Sequence, residues 1–125
     1  MKRFTSAKQK IGERGEAMVC MHLEKQDYTI IERNFTRKCG EIDIIAGKNG
    51  ITHFIEVKSV TRESQFGRPE DNMHSFKQRK FARTVRMYLA YRKVGQWQCD
   101  LACVLLNDKE RKAEIRMILD IILEN

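Results

Sequence analysis

The sequence is short of the features that mark whole classes of protein. A single proline in 125 residues, with no glycine- or serine-rich tract, excludes collagen-like, low-complexity and disordered chains. The longest apolar stretch, Leu101 to Leu106, is too short to span a bilayer. Met1-Lys2-Arg3-Phe4 is basic but is not followed by a signal-peptide core, so a cytoplasmic location is expected. The four cysteines (Cys20, Cys39, Cys99, Cys103) form no CxxC pair, and the three histidines are scattered. That spacing matches no zinc signature and points to reduced, mostly buried thiols. No internal repeat is visible. The length suits one domain, residues 1–125, with 1–6 as a flexible basic N-terminus.

Charge is what the chain has. Twenty-four Lys and Arg against seventeen Asp and Glu give +7. Residues 1–14 carry +4 and residues 62–94 carry +6, leaving −3 for the remainder. An acidic middle between two basic segments suggests a polyanionic partner. A membrane surface is disfavoured, because no helix pairs a basic face with a large aromatic and leucine-rich one.

Ser6-Ala7-Lys8-Gln9 reads as a capping box, and Ile11, Gly15, Met18, Val19, His22 and Leu23 follow on one stripe, predicting a helix over Ala7–Lys25. Glu16 falls at the margin of that stripe, where its carboxylate can lean over a sheet. Tyr28–Phe35, Glu41–Ala46 and Ile51–Val60 read as strands, the last two forming a hairpin around Gly47-Lys48-Asn49-Gly50. Pairing Ala46 with Ile51 sets Asp43 opposite Phe54 and Glu41 opposite Glu56. Ile42, Ile44, Ile55 and Val57 then enter a core while Glu41, Asp43, Glu56 and Lys58 point the other way. Arg62–His74 reads as a mobile loop. A second helix starts at Ser75, with Phe81, Val85, Tyr88 and Leu89 on its apolar stripe and Arg79, Arg83 and Arg86 opposite. No acidic residue occurs between Asn72 and Cys99, so this row has no oppositely charged neighbour on its own helix. Trp97–Leu106 reads as a central strand, and Ala113–Leu123 as an edge strand followed by a helical turn.

The chemistry resides in Asp43 and, thirteen residues later, Glu56-Val57-Lys58. E-x-K places a carboxylate and an ammonium on one side of a strand, and the hairpin brings Asp43 to the diagonal of Glu56, about 7 Å away at the backbone. Two such carboxylates can share a magnesium or manganese ion, which would polarise a phosphodiester and acidify a water. Lys58 would orient that water or stabilise the developing negative charge. Taken alone, D…ExK is common by chance and fits a solvated hairpin with an ordinary surface pair better than a metal site.

Gly12-Glu13-Arg14-Gly15-Glu16, Arg33-Asn34, Gly40-Glu41-Ile42-Asp43-Ile44-Ile45-Ala46 and Phe54-Ile55-Glu56-Val57-Lys58 together resemble the YraN-type family of uncharacterised bacterial proteins. That family is similar to Holliday junction resolvases of the PD-(D/E)xK, restriction-endonuclease-like superfamily. The resemblance implies an α/β fold, a mixed sheet with an α-β-β-β-α-β core flanked by helices. It also implies Mg2+ (or Mn2+) held by Asp43, Glu56 and Glu16, with Lys58 as the catalytic lysine and a homodimer as the assembly. Asp100 is read as structural. Arg79, Arg83 and Arg86, with Arg14 and Arg33, are the candidate nucleic-acid contacts.

Two functions are therefore expected to compete. One is a metal-dependent endonuclease cutting branched or structured DNA. The other is a nucleic-acid-binding module that keeps the nuclease fold without cutting. Three acidic side chains facing a polyanion favour the first, since they repel phosphate unless a cation intervenes.

Overall fold

The structure, a computed structural model, describes residues 6–61, 75–107 and 109–122, with the side chains of residues 8 and 75–78 excluded. The expected loop over Arg62–His74, the N-terminus before Ser6 and the side chains capping the second helix lie outside the described residues.

Helix α1 spans Ala7–Lys25 and begins with the predicted capping box: Gln9 N donates to Ser6 Oγ (3.1 Å) and Ser6 N to Gln9 Oε1 (2.8 Å). Strands β1 (Thr29–Arg37), β2 (Gly40–Lys48) and β3 (Ile51–Thr61) form an antiparallel meander. Helix α2 (Ser75–Tyr91) then carries the chain to β4 (Gln96–Asn107), which pairs parallel to β3, and β5 (Lys112–Ile118) closes the five-stranded sheet as an antiparallel edge. A parallel pair requires such a crossover. The expected core order is present, with β5 added at the edge.

The helices cover opposite faces of the sheet. Val19, Cys20 and Leu23 of α1 pack on Ile44, Ala46, Ile55, Val57 and Val104, whereas Phe81, Val85 and Tyr88 of α2 pack on Phe35, Ile42, Ile45 and Phe54. The hairpin therefore has no solvated outer face. Ile42, expected beside Ile44, lies on the α2 side instead. On the paired strand Arg33 sits near Glu16 of α1 while Phe35 enters the α2 cluster, although only two residues separate them. Asn34 intervenes with φ 54°, a left-handed conformation that asparagine tolerates, and this breaks the alternation of faces. Phe35 pairs with Ile42 and Arg33 with Ile44, so both strands switch face together, between the two pairs, where β2 carries Asp43.

The hairpin register also differs from the expected one. Lys48 pairs with Ile51, Ala46 with His53 and Ile44 with Ile55, two residues away from the alignment that set Asp43 against Phe54. Asn49 (φ 52°) and Gly50 (φ 77°) make a two-residue turn in place of a four-residue one. Asn-Gly favours that tight turn because both central positions take positive φ.

The helical turn expected after β5 is absent among the described residues. Asp120, with φ 56°, turns the chain back onto β4. There its N–H donates to Asp100 Oδ1 (2.9 Å) and Ile121 N donates to Cys99 O (2.7 Å). Asp100 is fully buried, accepts from Gln98 Nε2 (2.8 Å) and bonds His53 Nδ1 (2.6 Å), which bears out its structural reading. The thiols are free, and burial beside Asp100 pushes Cys99 up to about 12, leaving it inert at neutral pH. No helix among the described residues is long and apolar enough to cross a membrane.

Gly15 sets how closely α1 approaches the sheet. A Cβ on it would lie 1.8 Å from Ser59 Oγ and 2.9 Å from Ser59 Cβ. Ser59 Oγ is itself buried with no hydrogen-bond partner among the described residues. Gly15→Ala is expected to cost about 1–3 kcal/mol in urea unfolding through overpacking. Ser59→Gly in that background removes both clashing atoms and should recover most of the loss. A double variant no more stable than Gly15→Ala would show that the contact does not seat the helix.

Candidate metal centre

Pairing between β2 and β3 ends at Ile44 and Ile55. Beyond that point β2 continues against β1, and β3 continues against β4. The sheet therefore divides, and Asp43 and Glu56 are the first residues past the division on their strands. Asp43 Oδ2 accepts from Val57 N (2.7 Å), so the carboxylate takes a donor that the ladder leaves behind. A cavity of about 480 Å³ occupies this end of the sheet, walled by both helices and β1 to β3. Glu16 and Gly12 of α1, Asp43, Glu41 and Gly40 of β2, Glu56 of β3, and Lys80 of α2 line it, with Thr36 and Arg37 at the end of β1. Gly40, with φ 147°, lets α2 come close, since a Cβ there would stand 3.3 Å from Lys80 O.

Asp43 (7 % exposed) and Glu56 (4 %) are buried, whereas Arg37, Lys80 and Glu41 are exposed. The deep part of the cavity is thus acidic, and cations stand among the solvent-facing residues. Arg37 is held in place: its guanidinium lies 4.1 Å from the Phe35 ring centroid, and Nη1 donates to Thr36 O (2.7 Å).

Glu16 is half-buried and hydrogen-bonded to Asp43. Burial raises its pKa from 4.5 to about 7; the Asp43 charge and hydrogen bond and the Glu41 charge add to the rise, and Arg33 opposes it. A carboxyl whose pKa rises on folding contributes stability that is full below 4.5 and is lost as pH climbs through about 7. Relative to Glu16→Gln, the metal-free protein is therefore expected to lose thermal stability across that window. Melting-temperature profiles of the two proteins that stay parallel in a chelator, from pH about 4 to about 8, would refute the shift.

Two carboxylates forced together require a proton or a cation between them. Among the described residues, no three acidic, histidine or cysteine side chains converge as a ready-made metal cage. Magnesium does not require one, because it commonly takes one or two carboxylates and completes its shell with water and substrate phosphate. Glu16 and Asp43 in contact, with Glu56 lining the same cavity, are hard-oxygen donors that fit such an ion.

The structure thus places Glu16, Asp43 and Glu56 in the lining of one cavity, with Glu16 and Asp43 hydrogen-bonded to each other. Lys58 is half-buried two residues beyond Glu56 and does not line the cavity. Arg33 is exposed yet close enough to favour ionised Glu16, and Arg14 is exposed on α1. Arg79, Arg83 and Arg86 are exposed along α2, but Lys80 is the described basic residue of that helix that reaches the cavity. Arg86 lines a separate hollow of about 400 Å³ with Trp97 and Asp120. The sequence reading did not single out Thr36 or Arg37, since nothing in the local pattern shows β1 ending beside the carboxylates.

A five-stranded mixed sheet between two helices, divided where acidic residues gather, defines a restriction-endonuclease-like α/β fold. Residues 15–122 match the uncharacterised protein family UPF0102, and the chain belongs to that family. A UPF0102 protein of Campylobacter lari is 41% identical over 98 residues, covering 78% of this chain and 85% of its own. One of Clostridium perfringens is 42% identical over 107 residues (86% and 84%), and one of Clostridium tetani is 32% identical over 119 residues (94% and 97%).

Proposed function

We propose that this protein is a metal-dependent endonuclease that hydrolyses phosphodiester bonds in branched or structured DNA in the cytoplasm. The observation that carries the reading is the Glu16–Asp43 contact in a cavity that also exposes Arg37 and Lys80. Glu16, Asp43 and Glu56 would hold Mg2+ or Mn2+, which when bound polarises the phosphodiester and acidifies a water. Val57 N–H fixes one Asp43 oxygen, so the carboxylate is oriented before any ligand arrives. Arg37 and Lys80 attract the phosphates that the acidic floor repels. Arg79, Arg83 and Arg86, with Arg14 and Arg33, extend positive charge over the surface for flanking phosphates. Lys58 would counter charge gained in the transition state. A pair of copies suits coordinated cutting of two strands.

A non-catalytic DNA-binding module is the second reading, favoured by the position of Lys58 outside the cavity lining. Incubation with four-way junction, flap, duplex and single-stranded DNA in magnesium or manganese separates the two. The endonuclease reading expects strand cleavage, greatest on the branched substrates. Metal-independent binding without cleavage of any substrate would establish the module instead.

A further inference from the structure

Helix α1 contains two glycines, Gly12 and Gly15, and the described residues account for the second of them. Gly15 is required by Ser59, as described above. Gly12 has no such reason: among the described residues, a Cβ built on it meets no atom within 4 Å. A glycine inside a helix is destabilising, so an unneeded one calls for a cause.

Its position supplies the cause. Gly12 is half-buried, lines the cavity and stands four residues before Glu16, hence on the same helical face one turn earlier. Helical side chains lean toward the N-terminus, so the Glu16 carboxylate reaches back over the turn that holds Gly12. Anything engaging that carboxylate from the cavity meets Gly12 next. Arg37 and Lys80 in the same lining suit an anionic occupant.

We propose that Gly12 is a substrate-contact position, where the phosphodiester backbone of DNA approaches α1 more closely than a side chain would permit. The inference rests on the endonuclease reading and adds the path by which substrate reaches Glu16.

Gly12→Ala and Gly12→Leu test it, since both introduce better helix formers than glycine. Each variant should melt about 4 °C higher than the parent and bind manganese equally well by calorimetry. Anisotropy with a labelled four-way DNA junction, in calcium to suppress cutting, should show affinity weakened about tenfold for Gly12→Leu and less for Gly12→Ala. Ala17→Leu places the same side chain at an exposed position of α1 that does not line the cavity, and should keep the parent's affinity. A Gly12→Leu affinity equal to the parent's overturns the proposal. So does equal weakening by Ala17→Leu, which would make the effect one of helix bulk in general. If the parent itself binds neither manganese nor the junction, it is the endonuclease reading that fails, and this inference fails with it.

Discussion

Asp43→Asn and Glu56→Gln are each expected to eliminate metal-dependent cleavage and to weaken manganese binding by more than about a hundredfold. Removing even an outer-shell partner of a metal ligand commonly costs about 10–100-fold, and these substitutions remove a charged ligand itself. The fold should survive. In Asp43→Asn the side-chain amide carbonyl can still accept from Val57 N, and both changes keep side-chain shape while discharging a buried carboxyl. Discharging Asp43 also removes the repulsion that helps raise Glu16, so Glu16 should ionise at lower pH in Asp43→Asn. Isothermal titration with manganese reads the first effect and carboxyl-resolved NMR the second. Undiminished manganese affinity in both variants would remove these residues from the centre.

Lys58→Ala should lower turnover on the order of a hundredfold, comparable to removing an oxyanion donor, while junction affinity changes little. Lys58 stands two residues beyond Glu56 on β3, so period two directs both side chains to one side of the strand. It does not line the cavity. On the endonuclease reading its contribution is expected in kcat, when negative charge develops, and not in KM. A variant retaining turnover within a few-fold would make Lys58 an ordinary strand lysine. A loss confined to KM would place it among the phosphate contacts instead.

Local chemistry is readable from the sequence wherever it acts alone. Ser6 and Gln9 cap α1 as the S-x-x-Q spacing predicts, and the stripe Phe81, Val85, Tyr88 is buried on α2 as its period requires. The D…ExK spacing picks out Asp43 and Glu56, the family resemblance adds Glu16, and all three line the one cavity that opens where β2 and β3 part. The hairpin register differs because Gly47 and Lys48 resemble turn residues, whereas the positive φ of Asn49 and Gly50 completes the turn in two residues. The shift is an even number of residues, so by itself it moves no β3 side chain to the other face; Ile55 and Val57 stay in the α1 cluster as expected. Ile42 takes the other face because Asn34, on a different strand, breaks the alternation, and no pattern within β2 reveals it. Arg37 escapes a sequence reading for a similar reason: its place beside the carboxylates depends on where β1 ends, a tertiary fact.

The most direct measurement is cleavage of an end-labelled four-way DNA junction by the parent and by Asp43→Asn, each with manganese and with a chelator. The account predicts product in one reaction alone, that of the parent with manganese. Cleavage by the parent in chelator, or equal cleavage by Asp43→Asn in manganese, would contradict a cation-dependent centre at Glu16, Asp43 and Glu56.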